Sequence, residues 1–241
     1  MPDSVSATDD EPPPSPPSRT PLFLEASERQ HRLDKLDALR ERGIEPYPVR
    51  WDRDTTAAEL HSKYASLDAD QSTGQTVKLA GRIVGERRHG GLDFADLRDQ
   101  TGTIQLYADR THLGDDSLHD FGNLDLGDWV GVEGTVITTR TGELSVALTS
   151  FSLLSKALRP LPDLRHGLAD PETRYRQRYL DLTVNEHSRK VFAIRSTAID
   201  ATRQTLIDRG FHEVETPVLL SQPAAPRPSR SSRTTTRSTS T

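Results

Sequence analysis

Apolar residues in the first third of the chain recur at helical spacing. Leu33, Leu36 and Leu39 fall on one stripe between Leu22 and Arg42, with Ser27 as a candidate N-cap and Gly43 where a helix-terminating glycine belongs. Arg29, Arg32, Lys35, Arg40 and Arg42 decorate the opposite face, which reads either as a solvated face or as one that lies along a phosphate backbone. Glu45-Pro46-Tyr47-Pro48 then forces extended chain, because proline fixes φ and disfavours helix in the residue before it. A short helix is predicted from Thr56 to about Tyr64, and Asp68 to Gln75 reads as a polar linker.

From Val77 the period becomes two, the spacing of a half-buried strand. Strands are predicted at Val77–Val84, Phe94–Asp99, Ile104–Tyr107, Trp129–Ile137 and Leu144–Leu154. They are separated by turns at Gly90-Gly91, Gln100-Thr101-Gly102, Gly127-Asp128 and Arg140-Thr141-Gly142, with a short helix carrying Leu113, Leu118 and Phe121. Three close-set strands, a helix and two more strands fit a five-stranded barrel of the OB type, and glycines inside the first and fourth strands suit its bends. Leu158 to Pro162 reads as an extended linker and Arg174–Leu182 as a basic helix. A long helix from Ser188 to Arg209 follows, with Val191, Phe192, Ile194, Ile199, Leu206 and Ile207 available for burial. Gly210 ends it, and Phe211 to Pro217 reads as a strand.

Composition sharpens the ends. Of 241 residues only 33% are hydrophobic and 5% aromatic. Residues 1–20 hold six Pro and four acids, and residues 224–241 hold four Arg, five Ser and five Thr with no acid, so neither end has the side chains for a core. The expected organisation is a disordered leader over 1–20, a helical segment over 21–76, the barrel over 77–156, a further domain beginning over 157–223, and a disordered tail over 224–241. There is no Cys, which excludes disulfide frameworks, Cys-ligated metals and thiol catalysis. No apolar run is long enough to span a membrane, and the acidic leader is not a secretory signal, so a soluble cytoplasmic protein is expected. The net charge of −5 argues weakly against nucleic acid, but a local basic cluster outweighs a global balance.

An OB barrel binds single-stranded nucleic acid on the face of its first three strands, with aromatics for bases and basic residues for phosphates. Arg87, Arg88, Phe94 and Gln105 are the candidates to share that face, and Gln105 and Glu143 offer groups that discriminate base edges. The alternative is that Phe94 belongs to the core and the two arginines are solvated. No Gly-rich phosphate loop is present, and His89, His166, Glu213 and Glu215 form no nucleophile–base spacing, so no catalytic machinery is legible.

Several strings carry a resemblance. Leu153-Leu154-Ser155-Lys156-Ala157-Leu158-Arg159-Pro160-Leu161-Pro162, His166-Gly167-Leu168, and Arg174-Tyr175-Arg176-Gln177-Arg178-Tyr179-Leu180-Asp181-Leu182 resemble the class II lysyl-tRNA synthetase family. So do Thr141-Gly142-Glu143-Leu144-Ser145 and Arg209-Gly210-Phe211-His212-Glu213-Val214-Glu215-Thr216-Pro217, the latter similar to the end of class II motif 1. The resemblance runs from about residue 27 to 220 and implies an α+β chain: N-terminal helix, five-stranded OB barrel, then the start of an antiparallel-sheet class II catalytic domain. It implies that the barrel reads a tRNA anticodon, with Phe94 stacking on a base and Arg87, Gln105 and Glu143 at base edges. Where the family often has Lys beside the turn glycine, this chain has Gly91. Arg195, Gly210 and Pro217 would belong to a motif 1 homodimer interface.

In the complete family enzyme lysine and ATP give lysyl-adenylate, with Mg²⁺ stabilising phosphate charge, and the lysyl group passes to the tRNA 3′ end. Motifs 2 and 3, which supply the ATP, lysine and Mg²⁺ sites, have no counterpart here, so the chain is expected to be catalytically inactive by itself and to bind neither cofactor. The expectation is of a family enzyme cut just past motif 1. Its tail, read in a shifted frame through Ser, Arg and Thr codons, permits the family's Thr-His-His-Asn-Ala-Leu-Asp, and 26 Arg against 5 Lys fits a GC-rich gene. Two other readings stand beside it: a free-standing tRNA-binding and dimerisation module, and a fragment without function whose half-sheet exposes apolar edges.

Overall fold

A computed structural model describes residues 22–162 and 167–216. The expectations for residues 1–20 and 224–241, and for His166 and Pro217, lie outside them. The chain divides into two compact units, Met1–Glu186 and His187–Thr241, so the basic region around Arg174 groups with the barrel rather than with the long helix that follows.

The first unit opens with α1 (Leu22–Glu41), which ends at Gly43 in the left-handed region, φ 73°. The helix already includes Leu22, so Ser27 lies inside it and is not its N-cap. α2 (Ala57–Lys63) has a full capping box, Thr56 accepting from Glu59 N while the Glu59 carboxylate accepts from Thr56 N.

The barrel comprises β1 (Ser72–His89), β2 (Leu92–Arg98), β3 (Thr103–Asp109), β4 (Trp129–Thr138) and β5 (Leu144–Ser155), with α3 (Arg110–Leu113) and α4 (Asp115–Gly122) between β3 and β4. It closes in the order β1-β2-β3-β5-β4. The β3–β5 pairing is parallel and the others are antiparallel. Leu79, Ile83, Leu97, Ile104, Leu106, Val130, Val132, Val136, Val146 and Leu148 fill the interior from alternate positions. β1 starts earlier than its hydrophobic pattern: Ser72 and Thr76, in the stretch expected to be a linker, pair through their backbones with Ile137 and Thr135 of β4.

The basic face of α1 is a docking face in part. Arg32 is buried, 4% exposed, and donates to the carbonyls of Leu126 (3.2 Å) and Ala157 (3.0 Å). Lys35 pairs with Asp125 (2.7 Å) and Arg42 with Asp120 (2.6 Å). Neither a solvated face nor one lying along phosphates describes Arg32 and Lys35, whose charges are met by carbonyls and acids of the barrel, whereas Arg42 keeps about half its side chain in solvent beside Asp120. Beneath them Lys156 donates to both Asp125 and the fully buried Asp128 (2.7 Å to the latter).

After the barrel come α5 (Pro171–Arg176) and α6 (Arg178–Val184), two short helices where one was expected. Asp170 caps α5 with Pro171 at its first position, and the backbone leaves helical angles at Gln177 (φ −114°, ψ 56°). Asp181 is fully buried and accepts from Arg174 (2.8 Å), Arg178 (2.5 Å) and Asn185 (2.6 Å).

α7 (Glu186–Asp208), all but its first residue in the second unit, starts two residues before the expected Ser188 cap. It ends in a Schellman arrangement, Phe211 N donating to Leu206 O and Gly210 N to Ile207 O, with Gly210 at φ 84°. The stretch from Phe211 to Thr216 is irregular rather than a strand; among the described residues no strand lies beside it to pair with. Val191, Phe192, Ile194, Ile199, Leu206 and Ile207, expected to be buried, are exposed for the same reason: the described residues of this unit hold no sheet to cover them. No helix among the described residues is long and apolar enough to cross a membrane.

Candidate nucleic-acid interface

The outward side of β1, β2, β3 and β5 gathers one polar and aromatic surface. Phe94 pairs across β1 with Arg87 and across β3 with Tyr107. The next outward position of β2, Asp96, pairs with Gln105 of β3, and Gln105 pairs in turn with Ser145 of β5. Because side chains alternate along a strand, Arg87, Phe94, Asp96, Gln105 and Tyr107 share one face, while Ser145 is fully buried with its hydroxyl turned to Gln105. Its inward-facing neighbours Ala95, Leu97, Ile104 and Leu106 are buried.

Phe94 is half-buried on this face rather than in the core. Its ring meets Tyr107 edge-on (centroids 5.6 Å apart, 79°) and His89 of the β1–β2 hairpin (6.5 Å, 69°). Such edge-to-face pairs fix ring orientation, which a stacking platform requires. The Tyr107 hydroxyl is raised above its ordinary pKa by burial and by the neighbouring Asp109 carboxylate. Asp109 itself is held below the carboxylate range: burial works against ionisation, but hydrogen bonds from the His112 backbone and ring outweigh it.

The sequence-predicted residues separate into three groups. Arg87, Phe94 and Gln105 come together as expected. Arg88 does not share their side: it pairs with Asp93 and, one residue from Arg87, points the other way. Glu143 sits exposed in the hairpin before β5, two residues from Ser145, so it stands at the end of the row. Both arginines carry an acidic neighbour, Arg87 with Asp96 (3.1 Å) and Arg88 with Glu86 (3.3 Å). An incoming phosphate therefore competes with a carboxylate for each guanidinium. Gln105 accepts from the Ser145 hydroxyl (2.8 Å) through Oε1, which leaves its amide NH₂ as the donor available to a base edge.

Asp96, Tyr107 and Ser145 were not singled out from the sequence. The signal was present: each lies two positions from a chosen residue on its own strand, or directly across from one.

In the second unit Arg195 and Gly210 fall on α7 and its C-terminus. Arg195, Ala198, Ile199, Leu206, Ile207 and Phe211 line an open groove of about 600 Å³. Glu213 is turned to Arg203 (2.9 Å). Among the described residues no trio of acids or histidines is arranged to hold a metal ion.

Comparison with known proteins agrees with this geometry. Residues 77–154 match the family described as OB-fold nucleic acid binding domain. Residues 170–239 match the family described as tRNA synthetases class II (D, K and N), a match that includes much of the Ser/Thr/Arg-rich C-terminal stretch. The chain is 46% identical over 199 residues to a lysine–tRNA ligase of Carboxydothermus hydrogenoformans, covering 82% of this chain and 40% of that protein. It is 47% identical over 203 residues to one from Bacillus subtilis (83% and 41%) and 48% over 194 residues to one from Nitrosomonas europaea (80% and 38%). The chain thus spans about two fifths of the length of these relatives.

Proposed function

Because this chain is a homologue of the N-terminal part of the lysine–tRNA ligases, which are class II aminoacyl-tRNA synthetases, we propose that its barrel binds the anticodon loop of a lysine tRNA. The observation that carries this reading is the shared outward face on which Phe94, Arg87 and Gln105 converge. In it Phe94 stacks on an anticodon base, the Gln105 amide donates to a base edge, and Glu143 accepts from one. Arg87 exchanges Asp96 for a phosphate or a base acceptor, while Arg88, on the other side, contacts the backbone of the loop's flank.

Attachment of lysine to the tRNA through lysyl-adenylate, with ATP and Mg²⁺, is the activity this reading assigns to the whole family protein, in the cytoplasm. The described residues offer no fit for the metal, so no step through ATP or Mg²⁺ is assigned to them. The exposed apolar side of α7, with Arg195 and Gly210, is on this reading the surface that meets a second copy of the chain.

A second reading, an RNA-binding module acting without catalysis, has the closed barrel and its filled core in its favour. ATP–pyrophosphate exchange driven by lysine separates the two. Fluorescence anisotropy tests the feature they share, with an RNA hairpin carrying a lysine anticodon and a second with a scrambled loop. The first should bind more tightly. Its affinity should fall with salt at a log–log slope of about 0.7 per phosphate neutralised. Equal binding of the two hairpins defeats anticodon reading.

A further inference from the structure

The strand that carries Phe94 does not end at the proposed RNA face. Phe94, Asp96 and Arg98 occupy successive outward positions of β2, and Arg98 Nη2 donates to the backbone carbonyl of Thr183 at 2.6 Å. Thr183 lies in the last turn of α6, where unsatisfied carbonyls and the negative end of the helix dipole favour a cation. α6 is in turn anchored through buried Asp181 to Arg174 of α5 and to Asn185, which also donates to Leu168 O at 3.1 Å. A continuous set of hydrogen bonds thus runs from the strand of the RNA face into the first segment matched by the class II synthetase family.

We infer that Arg98 is a positioning residue that transmits occupancy of the barrel face to the α5–α6 segment. This rests on the anticodon reading above. A base on Phe94 and a phosphate drawn to Arg87 release Asp96 and re-seat β2. Arg98, two residues further along that strand, then carries the adjustment to α6, because the residue is held at both ends: its backbone by the strand ladder opposite Arg82 and Thr103, and its guanidinium by the Thr183 carbonyl. Arg98 touches neither RNA nor any reacting atom. Its contribution is the angle and stiffness at which the synthetase segment leaves the barrel.

Hydrogen–deuterium exchange of the full chain tests this at the amides of residues 178–185, with and without the lysine-anticodon hairpin, in the wild type and in Arg98→Met, Arg98→Gln and Arg98→Lys. The wild type should show RNA-dependent slowing of about fivefold or more. Arg98→Met and Arg98→Gln should bind the hairpin as the wild type does but lose that slowing, and Arg98→Lys should restore it in part. The response to RNA, rather than the exchange rate itself, is the readout that a merely structural tie would leave unmoved. If the hairpin binds and either removal variant keeps the slowing, or the wild type shows none, the inference is overturned while anticodon reading stands. If the wild type does not bind the hairpin, the anticodon reading falls and takes this inference with it.

Discussion

Trp51 occupies the space that a side chain on Gly131 would need. A β-carbon at position 131 would lie 2.4 Å from the indole ring, and the indole nitrogen donates to Leu79 O at 3.1 Å, on the strand next to Gly131. Lys78 N donates to Asp54 just beyond, so the extended segment created by Pro46 and Pro48 is strapped across β1 and β4. Gly131→Ala should therefore displace Trp51 and cost about 1–3 kcal/mol, as overpacking does. Urea unfolding measures the cost, and Trp51→Ala combined with Gly131→Ala should recover part of the alanine penalty.

Truncating the Phe94 ring should act on binding far more than on stability. Phe94 is half-buried on the outer face and its cross-strand partners are Arg87 and Tyr107, not core residues. Phe94→Ala is expected to weaken hairpin binding by about 1–3 kcal/mol, with a much smaller change in melting temperature. A large loss of stability with no loss of affinity would make Phe94 a packing residue.

Lys156 is an internal cation with two carboxylates, and its removal leaves one of them stranded. Lys35 still reaches Asp125, but fully buried Asp128 keeps only backbone donors, from Asp125 N (2.9 Å) and Ala157 N (2.8 Å). Lys156→Met should destabilise the chain by about 3–5 kcal/mol, the cost of breaking a buried pair from one side. Adding Asp128→Asn should return part of it, a coupling that a double-mutant cycle reads directly.

The same cluster sets a pH dependence. Burial works against ionisation of Asp125, but hydrogen bonds from Lys156 and Lys35 outweigh it and hold the carboxyl below its ordinary range. Asp99 is lowered likewise, its burial offset by donors from Ala57, Thr101 and Gly102, and Asp120 is lowered chiefly by Arg42. A carboxyl lowered on folding adds stability above its unfolded pKa and loses it as pH falls through the folded one. Melting temperature should thus hold steady above about pH 5 and fall progressively below about pH 4. Asp125→Asn should be less stable at neutral pH and show a shallower acid limb.

Much of the barrel was legible because period-two alternation and glycine turns are local signals. Ile104, Leu106 and Ala108 are buried while Gln105 and Tyr107 face out, and this is the pattern that marked the third strand. The start of β1 was not legible, since Ser72–Thr76 is polar and is held by backbone pairing that leaves no trace in side-chain pattern. The role of Arg32 was hidden for a related reason. A basic residue on a polar helix face reads as solvated until the carbonyl of Ala157, 125 positions away, is seen to lie against it. Arg98 was equally opaque, its acceptor lying 85 positions on. The break at Gln177 had no proline or glycine to announce it. On the outward face Arg87, Phe94 and Gln105 could be chosen by residue type, whereas separating Arg87 from Arg88 needed the hairpin register.

The parallel pairing of β3 with β5 has one more consequence. It involves only Gln105–Tyr107 against Ser145–Ala147, while β5 pairs with β4 along nearly its whole length. Parallel pairing is also slightly weaker for each residue. This short junction is where the cylinder is zipped shut, and Gln105, whose side chain accepts from the fully buried Ser145 hydroxyl across it, belongs to the surface proposed to take RNA. A nucleotide held by Gln105 would act as a stitch over the joint most prone to opening, so the bound form should resist thermal unfolding by an amount that rises with the logarithm of ligand excess.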